Sequence, residues 1–300
     1  MHQATGAQIA GLADENYSMF SAFAKECNEA RQWYTVWALN FDGSVYTLDY
    51  RNENNFVCYL PMQLARGIAV EWSEDEVDMI SLRALTPTAT VELRALFEMV
   101  YRICTYWQCE LLLDDKPMDV DEFLDSYPTI LAFNQNTLKD MAKSIINGEN
   151  EEMTLFSVKW PLVMGKNEAE AFLVEPTYFS KWLHDKQNID AHHANPAFYR
   201  TDEGVIGRYA LAEDTVCIMP IKPYVPYGYD DPETGELIQC EDFGMLLYDI
   251  RKGENIGELE YRDFIAKVRR HFSSKVRGYD GNHIIINALT MDDLRKLVEL

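Results

Sequence analysis

Metal binding is the first chemistry to weigh, because His184, Asp185, Asp190, His192 and His193 fall within ten residues. Imidazoles and carboxylates of this kind suit a divalent ion. Their spacing argues against one. Neighbouring side chains at 192 and 193 point apart in an extended chain. No two histidines stand four apart, the spacing that would put both rings on one helical face. The favoured reading is a polar surface loop after a helix, with His184 near the negative helix end. No metal and no cofactor is expected.

Other signatures of common chemistry are missing. Gly165-Lys166-Asn167 lacks the upstream glycine and the hydroxyl residue of a phosphate-binding loop. There is no G-x-G-x-x-G, no G-x-S-x-G and no H-E-x-x-H. Catalytic residues are therefore not assigned, which leaves an unfamiliar enzyme open. The six cysteines include no C-x-x-C, and several sit in apolar runs. They read as buried free thiols in a reducing compartment. Arg262, Lys267, Arg269, Arg270, His271, Lys275 and Arg277 form the one basic run. An anionic ligand would suit it, but a solvated helix face with acid-base contacts to the rest of the protein is favoured.

The stretch best suited to recognition is 222–236, K-P-Y-V-P-Y-G-Y-D-D-P-E-T-G-E. Pro223, Pro226 and Pro232 lack an N–H, so it is neither a central strand nor a helix interior. Gly228 and Gly235 permit tight turns. Residues 231–235 read as a hairpin tip, with 237–240 returning. Tyr224, Tyr227 and Tyr229 then ride on a constrained loop beside Asp230 and Asp231. Tyrosine offers a large contact area at low entropic cost. These five residues are the candidate binding site, with at least two of the rings expected to be exposed. The competing reading is that the rings cover the protein's own core edge.

The whole chain bounds what such a site can meet. It has 300 residues, with 27 basic and 49 acidic side chains and a net charge of -22. General nucleic-acid or anionic-membrane binding is disfavoured, because phosphate is repelled. Apolar residues make up 47%, enough for a packed core. No run approaches the length of a membrane span, and residues 1–11 lack the charge and apolar core of a signal peptide. A cytoplasmic setting is expected.

The elements that must carry the loop can be read from periodicity. Leu96, Val100, Ile103 and Trp107 share one helical face, widened by Leu93, Phe97 and Cys104. This predicts a long helix from residue 88, capped by Thr88 or Thr90, with Glu92 in its first turn and a Glu98–Arg102 pair on the wet side. A short buried strand at 110–113 follows. Upstream, a helix at 13–32 leads to strands at 33–40, 45–50, 56–60, 68–72 and 77–85, an antiparallel sheet. Downstream, a short helix begins near 118 with Asp119 as cap, 127–135 is irregular, and a helix covers 137–147. Further helices are expected at 176–187, 261–272 and 290–300. Strands are expected at 153–164, interrupted at Pro161, and at 208–212, 215–219, 243–250 and 283–289, with 190–203 a loop.

The fold class is therefore α+β: mostly antiparallel sheets with packed helices. The polar stretch 149–152 divides it into two αβ halves, 1–148 and 153–300, with packing as one continuous unit the other reading. Tyr261, Ile265, Val268 and Phe272 repeat the spacing of Leu96, Val100, Ile103 and Trp107 at an offset of 165. Each of the two helices is flanked by apolar strands and followed by a similar acidic helix start. Internal duplication is one reading, and recurring strand-helix grammar without duplication is the other.

Phe56-Val57-Cys58-Tyr59-Leu60-Pro61, Arg66-Gly67-Ile68, Leu85-Thr86-Pro87-Thr88 and Arg102-Ile103-Cys104-x-x-Trp107 resemble an uncharacterised bacterial domain-of-unknown-function family of similar length. The resemblance covers mainly residues 56–125. It implies a bacterial cytoplasmic protein and no catalytic residues. Gly67 reads as a position needing a backbone angle that other residues resist. The expected function is a non-enzymatic protein-interaction module with a protein partner. The other reading is an enzyme or small-ligand binder with an unfamiliar site between the halves.

Overall fold

The computed structural model describes residues 35–37, 55–60, 62–72, 80–114, 116–202, 204–231 and 234–300. The helix expected at 13–32 and the strand at 45–50 lie outside the described residues. The described chain is α+β and groups into two compact units, 1–188 and 189–300.

In the first unit, β1 (Thr35–Trp37), β2 (Asn55–Tyr59), β3 (Ile68–Trp72) and β4 (Ile80–Ala84) form an antiparallel meander in chain order. Cys58 faces Ile68 across it, and Val70 faces Leu82. The chain then enters α1 (Thr90–Trp107), whose inner face buries Leu93, Phe97, Val100 and Cys104. The hairpin β5 (Leu111–Leu113) and β6 (Lys116–Met118) follows, then α2 (Val120–Asp125) and α3 (Tyr127–Ile146). Phe123 of α2 stacks on Phe97 at 4.3 Å between ring centroids, and Tyr127 meets the same ring edge-on at 5.1 Å. Asp119 caps α2 by accepting from the Asp121 and Glu122 amides. The Glu98–Arg102 pair forms at 2.9 Å.

Three expectations need correction here. The N-cap of α1 is Ala89, and no side chain caps it. Thr88 instead gives its hydroxyl to Glu92. The strand at 110–113 is not buried: Leu111 packs on the α1 cluster, but Leu112 is 43% exposed, because among the described residues β5 pairs only with β6. Residues 127–135 are not irregular. Pro128 lies in the first turn of α3, where a missing N–H is no loss, so the helix starts at Tyr127. Gly148, at φ +75°, ends it as expected.

The unit is tied together by the segment between β2 and β3. Glu92, fully buried, accepts from the Gly67 amide at 2.7 Å and the Arg66 amide at 3.1 Å. The Arg66 side chain donates to Phe156 O at 2.8 Å and Pro87 O at 3.2 Å. The hairpin β7 (Met153–Leu155) and β8 (Leu162–Met164) leads into α4 (Lys166–Val174) and α5 (Tyr178–Gln187). From α5, Gln187 donates to Ala65 O, His184 Nδ1 accepts from the Leu64 amide, and Ser180 O accepts from Gln63. Asn134 of α3 pairs with both the amide and the carbonyl of Thr88.

The second unit holds two four-stranded sheets. One runs β10 (Ala197–Thr201), β11 (Gly204–Ala212), β13 (Cys240–Asp249), β14 (Glu254–Glu260), with β11 and β13 parallel and the other pairs antiparallel. The other runs β15 (Val276–Gly278), β16 (His283–Ile286), β12 (Cys217–Pro220), β9 (His192–His193). The stretch 190–203, expected as a loop, thus supplies the edge strands β9 and β10. Helices α6 (Tyr261–His271) and α7 (Met291–Glu299) complete the unit, and Thr290 caps α7 with its hydroxyl. Tyr209, Met245, Leu247, Tyr261, Phe264 and Leu294 meet in its core.

Strand order does not support the duplication. The strand before α1 is the edge of an antiparallel meander. The strand before α6 is β14, and the apolar strand matched to it, β13, is interior and parallel to β11.

Three variants test the first unit. Phe97→Ala removes a ring packed between Phe123 and Tyr127, and should lower unfolding free energy by about 3–5 kcal/mol in a urea titration. Val91→Ala, at an exposed position of the same helix, should change it by less than about 0.5 kcal/mol. Gly67 sits at φ +83°, and an added Cβ would lie 2.3 Å from Val57 Cγ1. Gly67→Ala should therefore cost at least about 1–3 kcal/mol in the same titration. An unchanged midpoint in either Phe97→Ala or Gly67→Ala would overturn the corresponding claim.

Candidate functional site

The Tyr-rich loop leaves β12 at Ile221 and returns to β13, and its backbone is held along its length. Asn282 clamps its start: Oδ1 accepts from the Lys222 amide at 3.1 Å, and Nδ2 donates to Lys222 O at 3.2 Å. The Ile221 amide donates to Asn282 O at 2.6 Å. Tyr209, from β11, donates its hydroxyl to Tyr224 O at 3.2 Å. Further on, the Tyr229 amide donates to Pro226 O, a turn that Gly228 completes at φ +85°. The described residues on either side of the expected hairpin tip pair with each other. The Ile238 amide donates to Tyr229 O, the Asp231 amide to Glu236 O, and Asp230 bridges Leu237.

Beneath the loop lies an array that the sequence reading missed. His283 opens β16 and is fully buried. Its Nδ1 is 2.8 Å from Asp280 Oδ1, which also accepts from the His283 and Asn282 amides. A carboxylate only accepts, so Nδ1 carries the proton. Nε2 is then the acceptor facing the Tyr224 hydroxyl at 3.4 Å. The His193 ring stands 5.3 Å from that of His283. The signal in the sequence was slight: an Asp and a His three apart across Gly281, in a stretch with turn character.

The chemistry of the array is that of an anchor. Burial pushes the Tyr224 phenol up to about 12, and the Asp280 charge adds to the rise. Burial also raises Tyr209 and Tyr261, whose hydroxyl donates to Pro220 O at 2.7 Å. None of these phenols is poised to ionise near neutral pH. Burial, and then the neighbouring His283, pull His193 down to about 3, with Asp280 opposing and His192 adding a little.

The five candidate residues take different positions. Tyr224 is half-buried on His283. Tyr229 is half-buried, its ring edge-on to Phe198 at 5.7 Å. Asp231 pairs with Arg200 at 2.5 Å. Tyr227, at 76% exposure, and Asp230 face outward. Only one of the three rings is thus well exposed, where at least two were expected. The proline-rich chain turns twice, and alternate rings are needed to seat it.

The histidine-rich stretch is taken up locally. His184 accepts a backbone amide, and Asp185 pairs with Lys181. His192 is exposed, while its neighbour in β9, His193, turns inward. In the basic run, Lys275 pairs with Asp293 at 2.8 Å and Lys267 donates to Leu297 O. Arg269, Arg270 and His271 are exposed in the last turn of α6, where the helix end favours cations.

The family described as a domain of unknown function, DUF4299, matches residues 38–297, and the chain belongs to it. No curated protein matches the chain, and no solved structure does.

His193 gives the site a pH signature. The unfolded chain takes up a proton below about 6.5, whereas the folded site resists it until about 3. Unfolded protein binds more protons between those values, so stability falls as pH drops through that window. His193→Gln should remove this part of the slope. Urea titrations at a series of pH values measure it, and equal slopes in the two proteins would refute it.

Proposed function

We propose that this member of the DUF4299 family is a non-enzymatic interaction module that engages a basic protein partner through Tyr227 and Asp230, on the loop secured by Tyr224, Tyr229 and Asp231. The observation that carries the reading is the division of labour within the loop. Tyr224, Tyr229 and Asp231 help to hold the loop, and the large amphipathic ring of Tyr227 is 76% exposed on a preorganised turn. Preorganisation reduces the ordering cost of binding, and tyrosine is a favoured contact residue. The net charge of -22 supports a basic protein surface as partner and counts against nucleic acid. Within the described residues no helix is long and apolar enough to cross a membrane. The described cysteines are free thiols, which supports a reducing, cytoplasmic setting. The enzyme reading gains little from the buried array, since a phenol raised to about 12 is neither a nucleophile nor a base at neutral pH.

The test compares two variants of the full chain. Tyr227→Ser combined with Asp230→Asn should leave unfolding free energy within about 0.5 kcal/mol of the parent. Recovery of proteins specifically retained from a native cell extract should fall at least about 10-fold. Tyr224→Phe should instead lower stability and leave the outward residues in place. Undiminished capture by the double variant, or no specific capture by the parent, would sink the proposal.

A further inference from the structure

Helix α1 ends in a left-handed turn, with Gln108 at φ 50°, ψ 41°. A left-handed residue after a helix folds the chain back on the last turn. It brings the next side chain against the one five positions earlier. Here those two side chains are Cys109 and Cys104. The return is visible beyond the turn as well: Leu111 packs on the same cluster that buries Cys104. Cys104 is 8% exposed, whereas Cys109 is exposed. One thiol therefore faces solvent, backed by a second that solvent hardly reaches.

We propose that Cys109 and Cys104 form a peroxide-responsive thiol pair, in which the exposed Cys109 is oxidised first and the buried Cys104 closes a disulfide over the left-handed turn. The Cys109 thiolate attacks one oxygen of hydrogen peroxide. The S–O bond forms, the O–O bond breaks, and hydroxide leaves and takes a proton. The Cys104 thiol then gives up its proton and its sulfur attacks the Cys109 sulfur. The S–S bond forms, the S–O bond breaks, and the second water leaves. Two thiols are oxidised by two electrons in all, and one peroxide is reduced to two waters. The division of roles agrees with the electrostatics. Burial first, and then the charge and hydrogen bonding of Cys109, push the Cys104 thiol up to about 12. Cys104 thus keeps its proton, and the exposed Cys109 is the thiol that peroxide reaches first.

Trypsin releases 103–139 as one peptide, because Lys116 is followed by proline, and Cys104 and Cys109 are its two cysteines. The folded full chain is treated with hydrogen peroxide, denatured, alkylated and digested. The peptide should lack two hydrogens and carry no alkyl group, and thiol reductant before alkylation should restore both sites. In Cys104→Ser, Cys109 has no resolving partner and should reach the sulfinic acid at least about 10-fold faster than in the parent. Cys109→Ser changes an exposed position, so it keeps the fold, and Cys104 should then remain a thiol that alkylates after denaturation. The proposal falls if the parent peptide keeps two alkylatable thiols after peroxide. It also falls if Cys109 overoxidises equally fast in the parent and in Cys104→Ser, or if the cysteines cross-link between chains instead.

Discussion

The first unit depends on one buried carboxylate. Glu92 lies in the first turn of α1, where a helix already favours negative charge, yet it is fully removed from water. Burial raises its pKa, against the pull of the Thr88 hydroxyl, the Gly67 and Arg66 amides and the Arg66 guanidinium. A buried carboxyl without those partners would be costly. With them, it joins the segment before β3 to the start of the long helix. Arg66 carries the tie onward to Phe156 O and Pro87 O, and is itself lowered to about 10 by burial. The positions that resemble the family, Arg66-Gly67 and Pro87-Thr88, are the ones gathered around this carboxylate. Their part in the protein is architectural. Arg66 supplies charge and two donors, and Gly67 supplies a backbone angle and an amide.

The second unit solves a similar problem for its loop. A proline-rich loop cannot bond itself into a sheet, so its backbone needs partners from outside. Asn282 provides a matched donor and acceptor for Lys222. Tyr209 reaches the Tyr224 backbone, and His283 faces the Tyr224 hydroxyl. Asp280 fixes the orientation and tautomer of His283 through Nδ1. The array shares the Asp-His-hydroxyl grammar of acid-base catalysis. Its long final contact and raised phenol mark it as a support for the loop. Function on this reading belongs to what the array holds in place.

Long periodic segments were legible from the chain. The faces of α1 and α6, the strand Ile68–Trp72, the cap at Asp119 and the helix stop at Gly148 all follow from local rules of spacing and backbone preference. The errors have a common physical origin. Residues 127–135 carry no helical signal beside Pro128, yet proline in a first helical turn removes no bond. Apolarity alone suggests a buried strand at 110–113, and among the described residues β5 has only β6 beside it. Residues 190–203 show little strand pattern, and they become β9 and β10 because β12 and β11 offer them unpaired backbone groups. The five candidate residues were placed correctly on a turn, and their individual exposures were not.

What the sequence by itself determined is the class of the protein: acidic, α+β, with a constrained tyrosine loop and none of the common catalytic signatures. These properties depend on composition and on neighbours a few residues apart. Only the tertiary structure decided that Glu92 belongs with Arg66 and Gly67, that Asp280 and His283 stand beneath Tyr224, and that Tyr227 rather than Tyr229 faces outward. Each of those facts rests on groups about 25 to 60 positions apart. Hydrogen bonds and burial between such distant groups exist only once the chain has closed the intervening loops, and local periodicity carries no record of them.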